Sequence, residues 1–401
     1  MKKSDVTCYV GNGEVNVSPR EPFDDLVCEF LEEVSREILK DEVLKTYPDV
    51  VAFAFWIRRA NLQKQKENYQ RGITTGISLG RGFVFHIAPS NVPVNFAFSF
   101  VFGLLAGNSN IVRVSSKNFT QVTLLCEKLQ QVISQEKYQE LAQCNGIIGY
   151  ERNKEITDYY SKLCDVRVIW GGDAAIEEIR TSKLKPHSKE IVFSDRYSFG
   201  IIAPEAILSM TEKERLKLAH QFYNDTYLMD QNACSTPHMI VWKTSLETSP
   251  DQIQQAQKLF WGSVFQVAQK YDLADSKVSD KFTDLCLYAV NTEIKSRVHR
   301  YGNLLYVVDL EKVPEQISNL RGRYGMFYQC SISTLDELAP TITQKVQTVA
   351  VEGVNKQEIL EFMIKNHLTG IDRIVPFGSA LDIGLIWDGY HLISEMSRQI
   401  L

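Results

Sequence analysis

The sequence predicts an α/β protein whose parallel sheets are covered by helices on both faces. Strand-like runs alternate with amphipathic helix-like runs along most of the chain, an order typical of repeated βαβ units. Turns rich in Gly, Pro, Ser, Asn and Asp follow two of these strands, at 88–93 and 171–173. The 401 residues allow two or three domains that each bury a core. Because ligands bind at the carboxyl ends of parallel strands, the two turns are candidate binding loops.

Apolar periodicity defines the elements of the first half. Helical spacing predicts helices over 23–40 and 51–70. The apolar run Val94–Ala106 predicts a buried helix with Gly107 as its C-cap, because a bilayer span needs about 20 residues. The other predicted elements are, in order, the strands Phe83–Ile87 and Asn110–Val114, a helix around 122–133, a strand at 146–149, a helix at 154–163, the strand Val166–Trp170 and a helix from Ala174.

The pattern begins again after about residue 193. Its predicted elements are the strands Gly200–Pro204, 238–242, Leu304–Val308 and Thr348–Val351 and the helices 211–227 and 251–270. No internal repeat or low-complexity tract is present in the sequence. The restart therefore indicates a second α/β unit.

Composition and charge argue against several classes of protein. The chain has 44 Lys and Arg against 49 Asp and Glu, and this net charge of −5 disfavours general nucleic-acid binding. No apolar run follows Lys2 and Lys3, so we predict neither a signal peptide nor a membrane span. The eight cysteines include no Cys-x-x-Cys pair and the seven histidines show no metal-ligand spacing. We expect reduced thiols, a cytoplasmic location and no metal site.

Cys234 is the strongest candidate for catalysis. It lies between small and polar residues in the segment Asp230–Pro237, where a helix-like run gives way to a strand-like run. A thiolate in such a connection can attack a carbonyl, whereas most free cysteines are inert packing residues. His238 is close in sequence, but it opens a strand, and we interpret it as structural rather than as a general base.

Three other groups could bind a substrate or a phosphate. The amide of Asn91, in a turn stiffened by two prolines, could stabilise an oxyanion or cap the following helix. The pair Gly171–Gly172 before Asp173 could admit a pyrophosphate or form an ordinary tight turn. The third group is the loop 113–117, in which Arg113, Ser115, Ser116 and Lys117 could hold a phosphate or simply be solvated.

Several segments, taken in this order, resemble the LuxC-type acyl-CoA reductase family of the aldehyde dehydrogenase superfamily. They are Phe85–Pro93, Gly103–Arg113, Val168–Asp173, Asp230–Pro237, Tyr324–Pro340, Gly370–Pro376 and Trp387–Tyr390. The similarity runs from about residue 80 to the C-terminus. It implies an aldehyde-dehydrogenase-like fold with two Rossmann-like domains and a small oligomerisation extension. The implied parts are an NAD(P)-binding domain at 1–193, a catalytic domain at 194–370 and a segment at 371–401 that returns to the first domain or to an oligomer interface.

The resemblance also implies roles for individual residues. Cys234 takes the position of the nucleophile, and Asn91 takes that of the oxyanion-binding amide. Further positions line the nicotinamide cofactor; with the phosphate-binding candidates above, the full set is Ser90, Arg113, Ser115, Ser116, Lys117, Gly171, Gly172 and Asp173.

The sequence departs from the superfamily pattern at two positions. Phe193 aligns with the glutamate that activates water in hydrolytic members, so an acyl-enzyme would persist until it is reduced. The glutamate that grips the adenosine ribose is replaced near Ser116, while Arg113 and Lys117 remain. Losing that carboxylate relieves repulsion of a 2′-phosphate, so we expect NADPH rather than NADH.

The resulting hypothesis is NAD(P)H-dependent reduction of a long-chain fatty acyl thioester to the aldehyde. The acyl donor would be acyl-CoA or an acyl donor protein, with an acyl-protein synthetase as a partner that the family implies. The alternatives are a CoA-acylating aldehyde dehydrogenase or acyl-phosphate reductase on the same fold, or a non-catalytic acyl-binding subunit. From the superfamily we expect a homodimer or homotetramer.

Overall fold

A computed structural model of the chain describes residues 5–72, 76–115, 117, 119–291 and 297–401. The chain divides into two compact units. The first contains Met1–Asp195 and Gly384–Leu401, and the second contains Arg196–Ile383. This division is structural, and the three functional domains expected at 1–193, 194–370 and 371–401 stay predictions.

The strands and helices follow one another in the order typical of α/β proteins. The strands are β1 (Thr7–Val10), β2 (Ile77–Gly80), β3 (Phe83–Ile87), β4 (Ser109–Arg113), β5 (Asn145–Gly149), β6 (Val166–Trp170), β7 (Lys189–Phe193), β8 (Tyr197–Ile202), β9 (Pro237–Lys243), β10 (Val298–Tyr301), β11 (Leu305–Asp309), β12 (Met326–Ile332), β13 (Val346–Glu352), β14 (Arg373–Pro376), β15 (Ile386–Trp387), β16 (Tyr390–His391) and β17 (Ser397–Ile400). The helices are α1 (Asp25–Lys40), α2 (Pro48–Trp56), α3 (Arg59–Arg71), α4 (Asn95–Leu105), α5 (Thr120–Ile133), α6 (Gln139–Cys144), α7 (Lys154–Leu163), α8 (Asp173–Arg180), α9 (Pro204–Ser209), α10 (Glu212–Thr226), α11 (Pro250–Ala268), α12 (Asp275–Asn291), α13 (Lys356–Lys365) and α14 (Leu392–Met396).

The first unit is built on a six-stranded sheet in the order β1-β5-β4-β3-β6-β7. Strands β3 to β7 are mutually parallel, and β1 pairs antiparallel with β5 at one edge. Successive strands run outward from β3 to β5 and then from β6 to β7 on the other side. This is the doubly wound arrangement that the alternation of elements predicts.

Helix α4 packs against this sheet along almost its whole length. Its residues from Phe96 to Leu105 are all buried, which explains an apolar run without amphipathic character. A Cβ atom at Gly103 would lie 1.9 Å from Oδ1 of Asn110 in β4, so only glycine permits this close approach. Gly107 has a φ of +81° directly after the helix, which confirms it as the predicted C-cap residue. In the described ranges, no helix is long and apolar enough to cross a membrane.

The second unit contains a seven-stranded sheet in the order β10-β11-β12-β9-β8-β13-β14. All neighbouring pairs are parallel except β10 with β11. Alternate residues of β9 enter two different cores: Met239 and Val241 lie on one face, and Ile240 and Trp242 on the other. Burial on both faces accounts for the continuous apolar character of this strand.

The C-terminal segment from Gly384 completes the first unit. Strand β17 pairs antiparallel with β2, and the Asn108 side chain donates to the Met396 carbonyl at 2.9 Å. Arg81 donates to the Glu395 carbonyl at 2.9 Å. The last elements of the chain are therefore held by residues near positions 80 and 108.

Most predicted elements are present within one or two residues of their predicted limits, and two predictions are wrong. The helix predicted over 51–70 is two helices, because Arg58 is extended and interrupts it. The strand predicted at Gly200–Pro204 is β8, which begins at Tyr197 and ends at Ile202, since Pro204 starts α9.

Candidate functional site

The sheet of the first unit brings two predicted loops to the same edge. Strands β3 and β6 are parallel neighbours, and the direction of winding reverses between them. Their carboxyl ends, Ile87 and Trp170, lead into the loops 88–93 and 171–173. A reversal of this kind opens a crevice at which doubly wound sheets bind ligands.

Ser90 and Asn91 are exposed in the first of these loops. The alternative role of Asn91 as a helix cap is wrong. Helix α4 begins at Asn95, and its N-cap residue is Val94, with no capping side chain. The Asn91 amide is therefore available to a ligand at the carboxyl edge of the sheet.

Gly171 and Gly172 leave the backbone open at the second loop. A Cβ atom at Gly172 would meet no atom within 4 Å. Gly172 is also the N-cap of α8 and contributes no capping side chain, while the first helical residue, Asp173, is exposed. A phosphate could approach the N–H groups at this helix start without meeting a side chain of either glycine.

A cleft at the ends of β3 and β4 contains Ser115 and Lys117. Lys117 is exposed, and its N–H donates to the Ser115 hydroxyl at 3.2 Å. The cleft is lined by Ala88, Pro89, Pro93, Phe96, Val114, Ser115, Lys117, Phe119 and Val122. The described walls are mostly apolar, and Lys117 is the charged residue among them. Ser116 lies outside the described residues.

Arg113 lies at the carboxyl end of β4. Its guanidinium group lies 4.7 Å above the ring of Tyr150 and donates to the Tyr150 carbonyl at 3.4 Å. Its Nε atom is buried, and no residue in the described part of the chain accepts its hydrogen bond. Buried donors normally have an acceptor, so this one is consistent with a ligand oxygen nearby.

These features fit the nicotinamide dinucleotide that the resemblance implies. The cleft offers apolar walls for a base and a cation for a phosphate, and Gly172 leaves its backbone accessible. Arg113, whose Nε has no acceptor among the described residues, adds a second positive group at the same edge of the sheet. The cofactor-binding roles of these residues stay predictions.

Cys234 lies in the second unit, in the loop before β9, and its side chain is half-buried. It is therefore at the amino end of a parallel strand, unlike the loops of the first unit. The Ser198 hydroxyl in β8 donates to the Cys234 carbonyl at 2.7 Å, and the Thr236 N–H donates to the Ala233 carbonyl at 3.0 Å. The structure thus brings the predicted cofactor residues and Asn91 together in one unit and places the candidate nucleophile in the other.

His238 is structural, as its place at the start of a strand predicts. Its ring is buried, stacks on Tyr197 at 5.4 Å and bonds through Nδ1 to the Gly322 carbonyl at 3.0 Å. Burial lowers the pKa of His238 to about 3, which makes it a poor acceptor of a catalytic proton. Among the described residues, no group of three or more His, Cys, Asp or Glu side chains could hold a metal ion.

Comparison with protein families decides the relationship of the chain. The family model described as acyl-CoA reductase (LuxC) matches residues 58–399. The chain belongs to the LuxC acyl-CoA reductase family. Membership confirms the predicted resemblance and supports an oxidoreductase that reduces acyl groups to aldehydes. A comparison of this LuxC-family chain with curated protein sequences finds no match.

Solved structures confirm the aldehyde dehydrogenase fold of this LuxC-family reductase. Aldehyde dehydrogenase 21 from Physcomitrella patens is 12% identical with a TM-score of 0.65, and the alignment covers 93% of this chain and 84% of that one. Lactaldehyde dehydrogenase from Escherichia coli is 12% identical with a TM-score of 0.61 and coverages of 93% and 85%. A NAD-dependent benzaldehyde dehydrogenase from Corynebacterium glutamicum is also 12% identical, with a TM-score of 0.59 and coverages of 93% and 82%.

A chain of buried hydrogen bonds, which no sequence motif predicts, ends at the crevice of the LuxC-family fold. The Asn110 amide nitrogen donates to Asn145 at 2.9 Å, so its oxygen accepts from Nε2 of His86 at 3.0 Å. Nδ1 of the neutral ring then accepts from the Ser99 hydroxyl at 2.8 Å, and Ser99 accepts from the Trp170 indole at 3.0 Å. The network fixes Trp170, which directly precedes Gly171.

Trp170 also belongs to an aromatic cluster in this LuxC-family chain. Its ring stacks on Phe193 with 3.7 Å between centroids, and Tyr390 meets Phe193 edge-on at 5.8 Å. Phe193, which the resemblance aligns with the water-activating glutamate, is thus a buried aromatic residue. No local signal predicts this cluster, because its members are up to 220 positions apart.

The buried His86 predicts a pH dependence of stability for the LuxC-family reductase. Burial lowers the pKa of His86 to about 4, whereas the unfolded chain binds this proton near pH 6.5. The native state therefore loses stability as the pH falls from 6.5 towards 4, by about 2 kcal/mol between pH 6.5 and pH 5. Urea unfolding of the full chain at several pH values measures this change.

The H86L variant isolates the contribution of this ring. It should be less stable than the wild type at pH 7 because its network partners lose a bond, but its stability should change less between pH 6.5 and pH 5. Replacing the exposed His187 by glutamine gives a control at a residue of the same type, and this variant should keep the wild-type stability at pH 7. Equal pH dependence in the wild type and H86L would contradict the assignment.

Proposed function

We propose that the chain reduces a fatty acyl thioester to the aldehyde through an acyl group carried on Cys234, with NADPH as the reductant. The observation that carries the proposal is the half-buried Cys234 thiol, whose loop is bonded to the neighbouring strand through Ser198. A fixed and partly accessible thiol suits nucleophilic catalysis, and membership of the acyl-CoA reductase family supplies the substrate class.

The reaction would have two stages: transfer of the acyl group to Cys234, and its reduction and release as the aldehyde. The Cys234 thiolate adds to the acyl carbonyl, a new S–C bond forms, and the donor thiolate leaves. A bound reduced nicotinamide supplies the hydride for the second stage. The aldehyde then leaves as the Cys234 S–C bond breaks and the thiolate is restored. In both stages the Asn91 amide and the Cys234 N–H would stabilise the oxyanion.

The cofactor would be held by the groups at the carboxyl edge of the first sheet. Gly171 and Gly172 would admit the pyrophosphate, with Ser90 and Asp173 on either side of the crevice. Lys117, Ser115 and Arg113 would take the adenosine phosphate, and we assign Ser116 to the same loop from the sequence. None of the described residues that line the cleft is acidic, and the absence of a carboxylate among them supports NADPH over NADH, since it leaves a 2′-phosphate unrepelled.

Phe193 supports reduction rather than hydrolysis of the acyl-enzyme. Its ring is buried against Trp170, so this position offers no group that could remove a proton from water. An acyl thioester on Cys234 would then persist until hydride arrives. The homo-oligomer and the acyl-protein synthetase partner stay predictions.

Acylation of Cys234 tests this proposal directly. The protein is mixed with tetradecanoyl-CoA and its intact mass is followed; we expect the gain of one acyl group, located on Cys234 by peptide mapping. Addition of NADPH should remove the adduct and release tetradecanal, and NADH should do so more slowly. Parallel incubations test the alternative activities. An acyl phosphate tests for an acyl-phosphate reductase, and aldehyde with CoA and NADP⁺ tests for a CoA-acylating aldehyde dehydrogenase.

Two controls make the result decisive. The C286S variant, which alters an exposed cysteine on α12, should be acylated like the wild type. A matched C234S sample should gain no stable thioester. Adduct release as free acid at the same rate with and without reduced cofactor would refute the proposal, and so would the absence of acylation at Cys234.

A further inference from the structure

The loop that carries Cys234 has an unusual backbone. Asp230 and Gln231 have φ angles of +52° and +61°, in the left-handed region that is costly for residues other than glycine. Two such residues in succession persist only where surrounding contacts hold them. The loop is therefore kept in its shape by contacts rather than by local preference.

Gln231 connects this loop to the strand on one side of β9. Its side chain is buried, with 2% exposed. Its Oε1 accepts from the Gly325 N–H at 2.7 Å, and its Nε2 donates to the Met326 carbonyl at 3.0 Å. Both partners lie at the start of β12, which is the neighbour of β9 in the sheet.

Ser198 connects the loop to the strand on the other side. It is fully buried in β8, the second neighbour of β9. Its hydroxyl donates to the Cys234 carbonyl at 2.7 Å and accepts from the Thr348 N–H in β13 at 3.1 Å. The loop that carries Cys234 is thus bonded to both strands that flank β9, through the buried side chains of Gln231 and Ser198.

A further hydrogen bond within the loop orients the peptide group before Cys234. The Ala233 carbonyl accepts from Thr236, and the described chain has no cis peptide bond. In a trans peptide the N–H points opposite to the carbonyl, so the Cys234 N–H is turned away from the start of β9. Correct placement of this N–H depends on the shape that Gln231 and Ser198 maintain.

We propose that Gln231 and Ser198 are positioning residues. They fix the Cys234 thiol for attack on an acyl carbonyl and the Cys234 N–H for stabilising the oxyanion. The proposal rests on the proposed nucleophilic role of Cys234. It predicts that loss of either side chain lowers the reactivity of the thiol while the sheet stays folded. Neither residue touches the acyl group in this proposal.

Two substitutions at Gln231 distinguish the effect of the lost side-chain hydrogen bonds from the effect of the positive φ. Q231A keeps a residue with a Cβ at a positive φ, whereas Q231G removes the same two hydrogen bonds and relieves the backbone cost. Both variants should lower kcat by about 10²-fold with little change in KM, since small displacements of reacting groups have effects of this size. The pH profile of Cys234 alkylation by iodoacetamide should shift in both.

Gln329 provides the matched control. It is also a buried glutamine of the second unit, with 3% exposed, and its amide bonds to Asp309, Trp242 and Trp261. Q329A should lower the melting temperature and leave the alkylation rate and its pH profile unchanged. S198A should resemble Q231G, because it removes the bond on the opposite side of the loop.

The alkylation measurement needs no turnover, so it distinguishes two kinds of failure. A wild-type protein that is not acylated by tetradecanoyl-CoA refutes the proposed function. A folded Q231G protein with the alkylation rate and pH profile of the wild type refutes the positioning role, whatever the outcome of acylation. Equal shifts in Q329A and Q231G would also refute it, because they would reflect a general loss of stability.

Discussion

Replacement of Cys234 by serine should lower the kcat/KM for acyl-CoA reduction by at least about 10³-fold, the scale seen when a nucleophile is removed. A serine hydroxyl has nearly the same size but is not ionised near neutral pH, so it cannot replace a thiolate in the attack on a thioester. The loop is held by hydrogen bonds of Gln231 and of the Cys234 carbonyl, and the substitution leaves these bonds intact. The fold of C234S should therefore be retained.

The measurement is aldehyde formation from tetradecanoyl-CoA at saturating NADPH. C286S is the control, since Cys286 is exposed on α12, and its activity should equal that of the wild type. Melting curves should coincide for the three proteins. Aldehyde formation by C234S at the wild-type rate would exclude a covalent mechanism through this residue.

Replacement of Asn91 by alanine should lower kcat by about 10²- to 10³-fold, as loss of one oxyanion-binding donor does in other acyl-transfer sites. KM should change little, because the bond strengthens only as charge develops on the oxygen. N91D should be slower still, since a carboxylate repels the oxyanion. The exposure of Asn91 means that neither change should disturb the fold.

Asn95 offers a nearby comparison for this effect. It is the first residue of α4 and carries the same side chain, but it lies within the helix rather than in the exposed turn. N95A should keep the kcat of the wild type, because this residue lies in the helix and not in the exposed turn. A larger loss in N95A than in N91A would contradict the assignment of Asn91.

The alternation of elements made the fold of each unit predictable. Strands such as Phe83–Ile87 and Val166–Trp170 have the predicted limits because apolar runs bounded by turn residues encode them locally. The break at Arg58 was not predictable, since the Arg59 N–H at the start of α3 bonds to Glu32, far away in the sequence. Tertiary contacts of this kind override local helical preference.

The same distinction applies to the candidate site. Cys234 and Asn91 stand out in the sequence because each lies among turn-forming residues. Gln231 and Ser198 do not, because their bonds reach partners between 36 and 150 positions away. The residues that would react can therefore be predicted from the sequence, whereas the residues that position them can be identified only from the structure.

The return of the C-terminal segment has a consequence for synthesis of the protein. Strand β17 and the residues around Met396 bond to positions near 80 and 108, although the whole second unit lies between them in the sequence. During translation, the residues up to 195 are therefore made before the second unit, but the first unit cannot complete its fold until residues 384–400 are made. A truncation that begins at residue 384 would therefore damage the unit whose other residues precede the second unit in the sequence.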